Sequence, residues 1–159
     1  MEVVLHPIGY VRNDCPPGRK PATWRGIPSY IEIDPRWTEA LGGLAGFSHL
    51  LVLCYLHLSS DQEPPTLIRP QRRPEMPLVG FFGTRTPVRP NPISVSIVPL
   101  LKQEGNLLYV RNLDMYDGTP VLDVKPYITR SDCHPDAAEP EWIHRLRDLQ
   151  DEETGLSQQ

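Results

Sequence analysis

Cysteine is scarce in this chain. There are three, Cys15, Cys54 and Cys133, odd in number and far apart. No CxxC pair occurs, which argues against a paired-thiolate zinc site or a redox motif. Long hydrophobic runs are missing too; none approaches the ~20 residues that a membrane helix needs. The opening stretch MEVVLHPIGYVR lacks the build of a signal peptide, so the expected compartment is the cytoplasm. Positive charge is not in excess: the net charge is −4, against the usual balance of a general nucleic-acid binder. No GxGxxG follows a candidate strand, so a nucleotide-like cofactor would need some other cradle. No internal repeat and no linker divides the chain.

Proline, by contrast, is abundant. Nineteen prolines in 159 residues is roughly twice the ordinary share or more. Proline is kept out of helix interiors and central strand positions, so short elements joined by stiff, ordered loops are expected. The length fits one domain able to bury its own core. A hydrophobic content of 39% with 23% charged residues indicates a globular fold.

The chain reads as a series of short strands. VVLHPIGYVR (Val3 to Arg12) is a first strand, followed by turn formers from Asn13 to Gly18. SYIEI (Ser29 to Ile33) alternates as a half-buried strand. Asp34-Pro35 caps a short helix through Trp37 and Leu41 that ends near Gly42-Gly43. FSHLLVLCYLHL (Phe47 to Leu58) reads as a buried strand, with a helix as the alternative. Asp61 to Pro77 is a long polar loop, and loops of that length in small domains are often functional. ISVSIVPL and LLYVRNLDMY (Leu107 to Tyr116) form a strand pair about Gly105-Asn106. DGTPVLDVKPY (Asp117 to Tyr127) adds a turn and a strand. EWIHRLRDLQ places Trp142, Ile143, Leu146 and Leu149 on one helical face. The expected fold is a mainly β, small single-domain, barrel-like structure with short helices. The domain spans residues 1–159, with a core over 3–130 and a C-terminal helix over about 140–152.

Chemistry concentrates in two places. In TRTPVRPNPI (Thr84 to Ile93), Thr86, Arg89 and Asn91 each precede a proline. Each proline fixes its own φ and biases its predecessor toward extended geometry, so Arg85 and Arg89 sit on stiff backbone. Gly80 and Gly83 allow close backbone approach. Arg69, Arg72, Arg73, Arg85 and Arg89, against Glu75 alone, form a candidate anion-facing surface; solvated loop arginines are the competing reading. In the second place Asp114, Asp117, Asp123 and Lys125 lie close together, suited to ribose hydroxyls or to accepting a proton. Asp117-Gly118 alone is equally a plain hairpin turn. His49 and His57 share a strand face by their even spacing, but no third ligand accompanies them, so no metal site is assigned.

The run Gly80-Phe81-Phe82-Gly83-Thr84-Arg85-Thr86-Pro87-Val88-Arg89-Pro90-Asn91-Pro92-Ile93 resembles the signature of the TsaA-like, or TrmO, family. Asp117 to Tyr127 is similar to that family's second motif. Pro7-Ile8-Gly9 and Gly46-Phe47-Ser48-His49-Leu50 resemble its weaker N-terminal blocks. Phe81, Gly83, Thr86 and Ser94 depart from the family pattern without touching its charged groups.

This resemblance implies a β-barrel methyltransferase that uses S-adenosylmethionine, acts as a homodimer, and methylates N6 of threonylcarbamoyl-adenosine beside the tRNA anticodon, at position 37. It implies cofactor contacts by Gly26, His57, Arg85, Arg89, Asn91, Asp117, Gly118 and Thr119, with Asp117 and Arg85 in the chemistry. Arg69, Arg72 and Arg73 are the candidate contacts to the RNA. The family's longer members carry a further C-terminal domain, and the C-terminal segment here is acidic. Two alternatives therefore stay open: a methyltransferase of the same fold acting on a small molecule, and a cofactor-binding protein without catalysis.

Overall fold

Burial of every second residue shapes the molecule. The computed structural model describes residues 2–154. Its strands are β1 (Gly9–Arg12), β2 (Pro28–Ile33), β3 (His49–Tyr55), β4 (Leu67–Ile68), β5 (Val79–Gly80), β6 (Ile93–Glu104), β7 (Leu107–Arg111) and β8 (Pro120–Pro126). Two helices follow, α1 (Thr129–Asp132) and α2 (Glu141–Thr154). Ile31 and Ile33 on β2, Leu50, Val52 and Cys54 on β3, and Leu108 and Val110 on β7 all point inward and are at most 1% exposed. This period of two is what a strand requires when one face meets the core and the other meets water. Each such aliphatic side chain contributes about 1.5–3 kcal/mol by leaving water.

The strands close into a six-stranded antiparallel barrel in the order β1-β2-β7-β6-β3-β8, with β8 pairing back to β1. Closure leaves no free edge among these six. β4 and β5 form a separate two-stranded hairpin beside it. The mainly β, barrel-like expectation holds. The ends of the expected domain, residue 1 and residues 155–159, lie outside the described residues. Among the described residues no helix is long and apolar enough to cross a membrane.

Several expected boundaries shift. The first strand begins at Gly9, not Val3, and Val3, Val4 and Leu5 are exposed. Pro7 has no N–H to give a ladder, and pairing starts where Ile8 N donates to Val121 O. The strand from Leu107 stops at Arg111, because Asn112 adopts φ 64° and leaves the sheet direction. Leu113 and Met115 nevertheless remain in the core. The polar loop from Asp61 to Pro77 is not structureless: it carries β4 and a 3-10 turn, and Met76 within it is 1% exposed. His49 and His57 do not share a strand face, since β3 ends at Tyr55 and His57 opens a 3-10 turn. The Asp34-Pro35 start is as expected, with the Asp34 carboxylate accepting from Arg36 N at 3.1 Å, though the helix is a 3-10 helix.

Glycine is structurally required at Gly9. A Cβ there would strike the Glu32 carbonyl oxygen and come within 2.9 Å of the Ile33 Cα, across the β1–β2 pair. At Gly80 and Gly83 no described atom lies within 4 Å of an added Cβ, so packing within the chain does not require glycine there. Gly9→Ala should lower stability by about 1–3 kcal/mol, the usual cost of overpacking. Gly80→Ala should stay within about 0.5 kcal/mol. Urea unfolding of both variants checks the difference.

Candidate active site

The proline-rich segment between β5 and β6 takes its shape from side chains that bond to its own backbone. The Thr84 hydroxyl donates to Phe81 O at 2.8 Å and accepts from Thr86 N at 3.3 Å. Arg89 folds inward and donates to Thr84 O at 2.8 Å and to Phe81 O at 3.4 Å. Its guanidinium also lies 5.8 and 5.7 Å from the ring centroids of Phe81 and Phe82. At the far end Leu56 N donates to Pro92 O at 2.7 Å, tying the segment to the end of β3. Three prolines and these bonds together leave the stretch little freedom to lose on binding a ligand.

The segment stands as a wall between two depressions. Thr84, Arg85, Thr86 and Pro87 line both. On one side lies a cleft of about 1030 Å³ at the barrel wall. Leu56, His57 and Ser59 line it from the end of β3, Ser94, Val95 and Ser96 from β6, and Asn112, Asp114, Met115, Tyr116 and Thr119 from the β7–β8 connection. Lys20 and Trp24 close it from the β1–β2 loop, with the Trp24 ring edge-on to Tyr116 at 5.4 Å. On the other side a groove of about 1160 Å³ runs between the β4–β5 hairpin and α2.

The cleft brings together four of the expected cofactor contacts: His57, Arg85, Arg89 and Thr119. His57 Nδ1 is buried without a hydrogen-bond partner among the described residues, a costly state for a polar atom unless a ligand meets it. Thr119 is 3% exposed, and its hydroxyl donates to Tyr116 O at 2.8 Å. Four others sit off the cleft. Asp117 Oδ1 accepts from Asn13 N at 3.2 Å, and Asp117 N donates to Cys15 O at 2.8 Å, so this residue pins the loop after β1 onto the β7–β8 turn. Gly118 supplies the left-handed corner of that turn, φ 77°. Gly26 N donates to Asn112 Oδ1 at 2.7 Å and supports the cleft from behind. Asn91 lies at the exposed end of the proline run, its carbonyl accepting from Ile93 N.

Asp114 is the carboxylate lining the cleft, and its Oδ1 accepts from the Ser96 hydroxyl at 2.9 Å. Trp24 belongs to the Trp24-Arg25-Gly26-Ile27 segment that the family resemblance places at a cofactor-contacting loop, whereas nothing in the sequence marks Tyr116 or Lys20 as site residues. A Trp and a Tyr in separate loops carry no pattern that joins them before the barrel closes. Cys54 lies against Ser94, whose hydroxyl is 3.5 Å from Cys54 O. Burial pushes its thiol up to about 12, so it stays protonated and is no nucleophile.

The expected arginine cluster divides. Arg69 donates to Met76 O at 2.6 Å. Arg73 pairs with Glu153 of α2 at 2.6 Å and with Glu75 at 3.5 Å, which raises its pKa through the Glu153 bond first. Arg72 and Arg85 make no ion pair and no side-chain hydrogen bond within the described residues.

A closed antiparallel barrel with a polar and aromatic cleft on its wall, framed by a rigid arginine-bearing loop, is a small-ligand site outside the doubly wound architectures. The model of the tRNA-methyltransferase O N-terminal domain matches residues 10–133, and the chain belongs to that family. A probable S-adenosyl-L-methionine-binding protein of Methanothermobacter thermautotrophicus is 40% identical over 130 residues, 80% of this chain and 91% of the relative. The mouse tRNA (adenine(37)-N6)-methyltransferase is 38% identical over 155 residues, 91% of this chain but 35% of the mouse protein. The crystal structure of TrmO from Pseudomonas aeruginosa superposes with a TM-score of 0.71 and 32% identity, over 89% of this chain and 62% of that one. This chain thus spans about three fifths of that solved structure.

The two arginines of the segment should fail differently. Arg89→Ala removes charge-assisted bonds to carbonyls and should lower stability by about 1–3 kcal/mol. Arg85→Ala removes no side-chain bond among the described residues and should stay within about 0.5 kcal/mol of the native protein. Denaturant unfolding of the two variants measures this.

Proposed function

We propose that this protein is an S-adenosylmethionine-dependent methyltransferase acting on N6 of threonylcarbamoyl-adenosine at position 37 of tRNA. The observation that carries this reading is the composition of one cleft. It gathers Arg85 and Arg89 from the first family motif and Thr119 from the second around the unpartnered Nδ1 of His57.

The residues present fit the cofactor. Arg85 and Lys20 suit its carboxylate, a task for which a guanidinium fork is apt. Trp24 and Tyr116 offer aromatic faces to an adenine ring and to a cationic sulfur. Asp114, already accepting from Ser96, has capacity left for hydroxyl donors. S-adenosylmethionine supplies, when bound, an electrophilic methyl group on a positively charged sulfur. The acceptor nitrogen takes that methyl and gives up a proton, for which His57 and Asp114 line the cleft as receivers. The chain's own part is chiefly to hold the two reactants in line, and positioning is worth much of such a barrier. Asp117 acts in this account as a positioning residue that fixes the turn carrying Thr119.

A homodimer belongs to the proposal. Val95, Ile97 and Leu101 on the outer side of β6 are 53%, 54% and 47% exposed, and Val95 and Ile97 also rim the cleft. A second copy seated there would cover this apolar strip and narrow the cleft opening, and two-fold pairing is the commonest oligomeric arrangement.

Calorimetry should give one S-adenosylmethionine per chain, weakened about ten-fold or more by Arg85→Ala. Labelled methyl should pass to tRNA bearing threonylcarbamoyl-adenosine and not to unmodified tRNA. Cofactor binding without transfer to any tRNA would point to a small-molecule acceptor or a non-catalytic role. Light scattering at the monomer mass would remove the dimer.

A further inference from the structure

The groove on the far side of the Thr84–Pro87 wall has no role in holding the cofactor as described above. Its floor and flank are apolar, with Leu78 and Phe82 facing Trp142, Ile143 and Leu146 of α2. Phe82 is 77% exposed, an unfavourable state for a phenyl ring on a rigid segment. One side of it is held by Phe81 at 4.1 Å between centroids and by the Arg89 guanidinium. The ring is therefore fixed while most of its surface stays bare. A fixed, bare aromatic ring beside cationic groups is the usual platform for stacking an unpaired nucleobase.

The groove also holds a cation without a counterpart. Arg72 lines it and has no acidic partner among the described residues, whereas its neighbour Arg73 pairs with Glu75 and Glu153. The two neighbours diverge because Gln71 and Arg72 both take the left-handed conformation, φ 51° and 58°. Two consecutive non-glycine residues in that region cost roughly 1–2 kcal/mol each. The backbone thus holds Arg72 in place at the groove. Glu63 is the one acidic side chain among the lining residues.

We infer that this groove is the acceptor pocket: Phe82 stacks an extruded adenine, and Arg72 pairs with the carboxylate at the end of its N6 substituent. The inference rests on the function proposed above and names the site on which the acceptor sits. The base then stacks on the groove side of the Thr84–Pro87 wall with its N6 atom reaching past the wall into the cleft, where the methyl donor, His57 and Asp114 lie. Extruding the base is required because in its loop it is stacked on its neighbours.

Equilibrium binding of the full chain to one tRNA, with and without the threonylcarbamoyl group, tests this independently of turnover. The native protein should prefer the modified tRNA. Arg72→Gln should abolish the preference while leaving the salt slope of binding unchanged. Phe82→Leu, which keeps apolar bulk, should weaken both tRNAs about ten-fold, a stacking-sized effect. S-adenosylmethionine affinity should be native in Arg72→Gln, and a cooperative thermal melt with native circular dichroism reports that Phe82→Leu, whose ring supports Arg89, is folded. The inference is overturned if the native protein shows no preference, if Arg72→Gln retains it, or if Phe82→Leu binds as well as native. A slope flattened by about one unit with the preference intact would instead make Arg72 a phosphate contact and likewise overturn it. Preference without methyl transfer would leave the groove standing and remove the proposed reaction.

Discussion

The inward turn of Arg89 is the interaction on which the site depends. Its guanidinium bonds to the carbonyls of Thr84 and Phe81 and rests on two phenyl rings. Prolines alone set local angles, but they do not fix where a loop goes. The arginine closes the loop on itself, and the Leu56–Pro92 bond anchors it to the barrel. A wall results that is stiff enough to separate two depressions. Arg85, on that wall, makes no side-chain bond among the described residues and lines both depressions. One arginine of the motif thus serves shape, and the other is available for binding.

The barrel contributes by removing freedom elsewhere. Closure of six strands brings the end of β3, the start of β6 and the β7–β8 turn to one side of the molecule. These segments are far apart in sequence, and each supplies four or five cleft residues. Asp117 and Gly118 hold the turn; Thr119 and Tyr116 face the cleft from it. The motif read as a binding run is in effect half scaffold and half lining.

Much of the fold was legible from alternation and turn chemistry. Ser29 to Ile33 and the run from Ile93 alternate in sequence, Asp117-Gly118 marks the turn before the strand from Pro120, and Asp34-Pro35 marks its helix start. Failures had local causes. Pro7 ended pairing that the apolar Val3 to Leu5 suggested would continue. Asn112 broke a strand whose apolar alternation ran on to Met115, because Leu113 and Met115 enter the core without ladder bonds. At the site, the rigid segment was readable from its prolines, yet the fate of each arginine was not. Whether a guanidinium meets water, a carbonyl or a carboxylate depends on partners such as Met76 O and Glu153, which only the fold brings near. Arg72 and Arg73 are adjacent in sequence and opposite in role for that reason. Asp114 and Asp117 differ likewise: a turn of the chain puts one in the cleft and the other into a loop clamp.

The central claim is that the rigid segment separates a donor cleft from an acceptor groove. The most direct measurement is a crystal structure of the protein with S-adenosylhomocysteine. The account predicts the ligand in the cleft of Trp24, His57 and Tyr116, with its sulfur toward the Thr84–Pro87 wall and the groove beside α2 left open. Ligand density in the groove against Phe82 and Trp142, with the cleft empty, would contradict it.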